Sequence, residues 1–104
     1  MKRYSLRRVI EAADAVIPER PARISSHNTM RQHREMLLAG IGYEMACIVP
    51  STTEIGMVIG TTANTTGAWL TRWREIPWQD RYQWLRLVEG RLARETDTVD
   101  AAVL

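Results

Sequence analysis

Asn64 carries the side chain in this sequence best suited to reading a partner's surface. Its amide sets one donor beside one acceptor, the pattern that matches an adenine edge in the major groove of duplex DNA. Around it, Thr61-Thr62-Ala63-Asn64-Thr65-Thr66-Gly67-Ala68-Trp69-Leu70-Thr71 is rich in small side chains. A helix that turns Trp69, Leu70 and Trp73 inward leaves Thr62, Ala63, Asn64, Thr65, Gly67, Ala68 and Thr71 as base-reading candidates on its outer face. Ala63 suits a thymine methyl, and Gly67 and Ala68 permit close approach of a helix backbone to the groove. The stretch from Gly60 to Arg74 contains no carboxylate. Arg72 and Arg74 end it, placed for flanking phosphates; Arg31 and Arg34 in the preceding long helix are further phosphate candidates. Thr52 and Thr53 add hydroxyl and backbone donors at a helix start, where exposed N–H groups favour an anion.

These residues function only if a short helix, a tight turn and a second helix hold them out. A helix-turn-helix needs a small residue at the crossing, a glycine in the turn and an apolar wedge. Gly56, Gly60 and the set Ile55, Ile59 and Trp69 meet those needs. Ser51-Thr52-Thr53-Glu54 has capping-box spacing and starts the first of the two helices. Thr61 and Thr66 stand where such motifs usually carry aliphatic side chains.

The remaining periodicity is helical as well, so the expectation is an all-α chain of about five helices. Leu6, Val9, Ile10 and Ala13 define a first helix over residues 5–17, capped by Ser5 and stopped by Pro18. With a connector through Asn28, it reads as an N-terminal arm over residues 1–28, whose Lys2, Arg3, Arg7 and Arg8 are available to phosphates or a minor groove. A second helix is expected from Thr29, with a Thr29/Gln32 capping box, to Cys47 or Ile48. Met30, Leu37, Ile41, Met45 and Ile48 form its buried stripe, and Gly40 and Gly42 allow close packing. Pro77 opens a fifth helix with Trp78, Tyr82, Leu85, Val88 and Leu92 inward. The DNA-binding unit spans residues 29–95, and 96–104 form a flexible tail. Trp69, Trp73 and Trp78 read as a core clamp between the outer-faced helix and the C-terminal one. Trp84 falls off that stripe and is expected on a dimer contact.

The chain has 104 residues, 45% of them hydrophobic and 25% charged, a composition of ordinary globular proteins with room for one domain. Thirteen of its 14 basic residues are arginine, suited to planar bonding with phosphates and base edges and equally a mark of a GC-rich genome. No apolar run or signal-type leader stands out, so the expected location is the cytoplasm. A single cysteine excludes an internal disulfide. Cys47 is expected to be a small buried residue, and His27 and His33 lack partners at ligand spacing, so no metal or cofactor is expected. Glu11 with Asp14, or Glu35 with Glu44, read as solvated charges rather than an acid–base pair, and an enzyme is not expected.

Residues Ile55-Gly56-Met57-Val58-Ile59-Gly60-Thr61-Thr62-Ala63-Asn64-Thr65-Thr66 resemble, without a gap, the DNA-binding C-terminal domain of the replication initiator DnaA. That family's pattern is Ile-Gly-x-x-Phe-Gly-Gly-Arg-Asp-His-Thr-Thr-Val. The long helix through Cys47 and the loop into Glu54 look similar too, so the resemblance covers roughly residues 29–73. It implies a Trp-repressor-like helix-turn-helix. The family's Arg-Asp-His is replaced by Thr62-Ala63-Asn64, and of its box-reading signature Thr65 and Thr66 remain. Asn64 to Val88, with Arg72-Trp73-Arg74 and Ile76-Pro77, is more distantly similar to lambda CII-type phage activators.

The expected function is sequence-specific binding of double-stranded DNA by a phage or bacterial transcription regulator, as a homodimer or higher oligomer because one short helix reads few base pairs. The alternatives are a helical protein-interaction adaptor without DNA binding and a DnaA-like replication accessory protein.

Overall fold

A computed structural model describes residues 4–18 and 27–103, except for the side chains of 27–32 and 96–103. Among the described residues the fold is all-α, with five helices: α1 (Leu6–Val16), α2 (His27–Met45), α3 (Thr52–Ile59), α4 (Ala63–Glu75) and α5 (Trp78–Val103). The starts of α1, α3 and α4 have local causes. Ser5 accepts the Arg8 N–H, Thr62 accepts that of Thr65, and Ser51 and Glu54 close a reciprocal capping box at α3. Gly60 ends α3 at φ 94°, a left-handed conformation that glycine adopts without a Cβ penalty.

One core unites the helices, with α2 at its centre against α1, α3 and α4, and α5 packed on α1 and α2. Val9, Ile10, Ala12 and Ala13 of α1 are buried in the same cluster as Leu37 and Ile41 of α2 and Val88 and Leu92 of α5. The N-terminal helix is therefore an integral part of the domain and not a separate arm. Its stripe is wide enough to bury against two helices at once. The connector expected after it falls largely outside the described residues. So do the side chains of Met30 and of the Thr29/Gln32 box, although α2 itself starts two residues earlier than expected, at His27.

The end of α2 also departs from expectation. The Cys47 N–H donates to the Tyr4 carbonyl at 2.9 Å instead of extending the helix, so the periodicity stops before Ile48. Ile48 and Val49 are exposed in the linker to α3, and Cys47 is exposed rather than buried. Pro50 and Ile55, which flank the α3 cap, are both buried.

Two glycines of α2 admit neighbours. A Cβ on Gly40 would lie 2.1 Å from Trp73 Cδ2, and one on Gly42 would lie 3.0 to 3.2 Å from Leu6 and Ile10. Trp73 thus clamps α4 to α2, and its indole N–H donates to Glu44 Oε2 at 3.0 Å. The expected tryptophan clamp between α4 and α5 does not form, because α5 turns away at Ile76 and Pro77 to lie along α1 and α2.

Helix α5 carries the largest reassignment. At about 100° per residue, Leu85, Val88 and Leu92 define one inward direction, and Arg81 falls on it in the first turn. Trp78 lies about 50° and Tyr82 about 90° from that direction, and both are exposed, at 56% and 43%. Trp84 is partly buried against the core instead of free for a second subunit. Helix α5 continues through residues 96–103, where a flexible tail was expected.

Candidate nucleic-acid interface

Helix α4 is set by the crossing it makes with α3. A Cβ on Gly56 would meet the Thr61 carbonyl oxygen at 2.7 Å, so only glycine lets the turn close against α3. Thr66 is fully buried at this crossing, and its Oγ1 donates to the Thr62 carbonyl at 2.9 Å. Bonding back to the preceding turn hides the hydroxyl, so a threonine serves where an aliphatic side chain is usual. Ile55, Trp69, Leu70 and Trp73 are buried, while Ile59 and Thr61 are half-buried.

The opposite side of α4 faces solvent. Thr62, Asn64, Thr65, Ala68, Thr71, Arg72 and Arg74 are exposed, and Ala63 and Gly67 are half-exposed. Their polar groups are not equally available. The Thr62 hydroxyl accepts the Thr65 N–H at 3.2 Å and donates to Thr65 Oγ1 at 3.0 Å, and Thr71 Oγ1 donates to the Gly67 carbonyl at 3.1 Å. The Asn64 side chain makes no hydrogen bond among the described residues. Asn64, Thr65, Ala68, Trp69 and Arg72 line one shallow depression along this face. A Cβ on Gly67 would meet nothing within 4 Å, so the backbone there is open to close approach.

The arginines divide into two groups. Arg72 is exposed without an ion pair among the described residues, and the Arg74 guanidinium lies 5.5 Å from the centre of the Tyr43 ring. Arg34 is engaged elsewhere: its Nη2 reaches Asp14 Oδ1 at 2.6 Å and the Asp14 carbonyl at 2.8 Å, tying α2 to α1. Both contacts come from one guanidinium nitrogen, and they turn Arg34 toward α1 rather than toward a phosphate. The side chain of Arg31 lies outside the described residues. Thr52, half-buried, and Thr53, exposed, sit in the first turn of α3 beside the Ser51 cap.

The spacing of α5 hid one group of residues that the structure exposes. Glu44 accepts from Trp73 and also faces Arg81 Nη1 at 3.9 Å, so it links α4 to the first turn of α5. Arg81 packs over Trp78 at 5.5 Å and Arg86 over Tyr82 at 5.8 Å. The Trp78 and Tyr82 rings are 5.7 Å apart and tilted. The signal was present in the angular bookkeeping: Arg81, not Trp78, continues the Leu85–Val88–Leu92 line.

Among the described residues, no group of three or more His, Cys, Asp or Glu side chains is arranged to hold a metal ion, and no helix is long and apolar enough to cross a membrane. Comparison with known proteins finds no matching family, no matching curated protein and no matching solved structure.

Proposed function

We propose that the chain is a sequence-specific double-stranded DNA-binding protein, a transcription regulator of phage or bacterial type, that lays α4 in the major groove. The observation that carries this reading is the outer face of α4. From Thr62 to Arg74 it carries no carboxylate and is largely built of small side chains, with Glu75 following on the same face in the last turn; among the described residues the Asn64 side-chain amide makes no hydrogen bond and Arg72 no ion pair. Asn64 pairs with an adenine edge, Ala63 meets a thymine methyl, and Gly67 and Ala68 keep the helix close to the base edges. Arg72 and Arg74 hold the flanking phosphates, which position the helix without choosing sequence. One such helix reads too few base pairs to find a site in a genome, so a symmetric dimer on paired half-sites completes the proposal. The resemblance to the DnaA family supports the fold of the reading head, and a replication accessory role rests on that resemblance alone.

Titration of a random duplex by fluorescence anisotropy at several salt concentrations tests the proposal. Affinity that falls steeply with salt is expected, and no detectable binding at low salt refutes it. Asn64→Ala then relaxes base choice at one or two positions, while Arg72→Ala weakens all sequences alike; the reverse pattern refutes the assignment of α4. Selection from a random pool is expected to return a palindrome.

A second reading, a helical adaptor that binds protein, is favoured by three exposed large apolar side chains around α3, Ile48, Val49 and Met57, at 77%, 68% and 78%. Exposed apolar side chains of this size mark contact surfaces when they are contiguous. Binding that ignores salt and duplex DNA favours this reading.

A further inference from the structure

Trp78 and Tyr82 are aromatic, solvent-exposed and one helical turn apart, and the core does not use them. Each ring is packed by an arginine, Arg81 on Trp78 and Arg86 on Tyr82. Arg81 pairs with Glu44 of α2, whose other carboxylate oxygen takes the Trp73 indole N–H, so the first turn of α5 and α4 are both tied to the same residue of α2. Around α5, Asp80 points about 160° away from the Trp78–Tyr82–Arg86 lane. From Trp78 to Arg86 the lane combines aromatic rings and guanidinium groups without a carboxylate, and half-buried Glu89 falls on the same side about one turn beyond Arg86. Rings at this spacing beside cations are the chemistry of base stacking with phosphate contact, which tolerates any base because every base has a π-face. An apolar protein partner fits less well, since the next exposed large apolar residue of α5, Leu87, lies on its far side, about 180° from Trp78.

We propose that the Trp78–Tyr82–Arg86 lane binds unpaired nucleotides of a nucleic acid, with bases stacked on the two rings and a phosphate at the Arg86 guanidinium. The site is distinct from the α4 face and does not require it. Where both operate, the chain grips a duplex with α4 and adjoining single strand with α5.

The probe is an unstructured oligothymidylate of roughly 12 nucleotides, within the span that single-strand-binding surfaces occupy, titrated into the full chain at low salt. Tryptophan emission and anisotropy report binding. Trp69 and Trp73 are 5% and 1% exposed and Trp84 is half-buried against the core, so quenching by a stacked base reports chiefly on Trp78. Quenching is expected, with affinity weakened roughly 5- to 100-fold by Trp78→Ala or Tyr82→Ala. Trp78→Phe retains most of the affinity but loses most of the quenching. Asn64→Ala, which alters duplex reading, leaves oligothymidylate binding unchanged, so failure of either surface is told from failure of the other. Circular dichroism checks that the variants remain folded, as expected for side chains this exposed. Absence of oligothymidylate binding overturns the proposal, as does parental affinity in the Trp78→Ala/Tyr82→Ala variant. Loss of self-association by sedimentation without loss of oligothymidylate affinity also overturns it.

Discussion

Replacing Gly40 with alanine tests the central contact of the fold, the seat of Trp73 on α2. The added methyl would stand 2.1, 2.3 and 2.7 Å from Cδ2, Cγ and Cε2 of the indole. Carbon atoms rest at about 3.5 to 4.0 Å, so α4 and α2 must separate by roughly 1.5 Å or the ring must leave its position. The atoms struck belong to the fused part of a ring that is 1% exposed, so no flexible end can swing aside. Overpacking of this kind costs about 1 to 3 kcal/mol, and the upper end applies. Displacement also strains the 3.0 Å bond from Trp73 to Glu44, which contributes about 1 kcal/mol more. Against this, alanine is a better helix former than glycine by about 1 kcal/mol. The net expectation is a loss of about 2 to 3 kcal/mol, or roughly 10 to 20 °C in Tm for a domain of this size. Thermal unfolding followed by far-ultraviolet circular dichroism measures it. A cycle with Trp73→Leu adds a second condition: the double variant must lose less than the two singles together. A Gly40→Ala protein that melts at or above the parent temperature, or strict additivity in the cycle, refutes the packing argument.

Other substitutions separate stability from binding. Gly67→Ala places its methyl in open space, so it stabilises α4 by about 0.5 to 1 kcal/mol, yet it weakens binding to the selected duplex by about tenfold or more; unchanged affinity means that α4 does not approach the groove at that point. Ser51→Ala removes the α3 capping box and lowers Tm by roughly 4 to 8 °C, the equivalent of about 1 kcal/mol; an unshifted melt shows that the cap is dispensable. Arg34→Ala reduces stability by about 1 kcal/mol, a discounted figure because Asp14 is largely exposed, and leaves the salt dependence of duplex binding unchanged. A slope shallower by about one unit would return Arg34 to the phosphate contacts.

Local signals and tertiary choices divide cleanly in this chain. Ser5, Ser51 and Gly60 mark helix boundaries that the sequence alone predicts, because a cap is satisfied by backbone groups three or four residues away and needs no distant partner. The small residues at Gly40, Gly42 and Gly56 were equally legible as places of close approach, though not what approaches them. Periodicity identified α4's inner and outer faces because Trp69, Leu70 and Trp73 leave one consistent direction. It failed on α5, where Trp78 and Tyr82 count as core by type but Arg81 holds the inward direction, satisfied by Glu44 from α2. It failed again at Ile48, where the Tyr4 carbonyl takes the Cys47 N–H and ends the helix from outside. Likewise, Arg34 looks like a free cation until Asp14 on α1 arrives beside it.

The sequence by itself thus determined the all-α class, the capped starts of α1 and α3, the Gly60 end of α3 and the composition of the α4 face, since these depend on spacings within one or two turns. Tertiary structure alone decided that α1 joins the core, that Trp73 binds α4 to α2, and that two aromatic rings of α5 stay in solvent. Those outcomes depend on which helices meet, and a side chain's burial is set by what packs over it as much as by its own hydrophobicity.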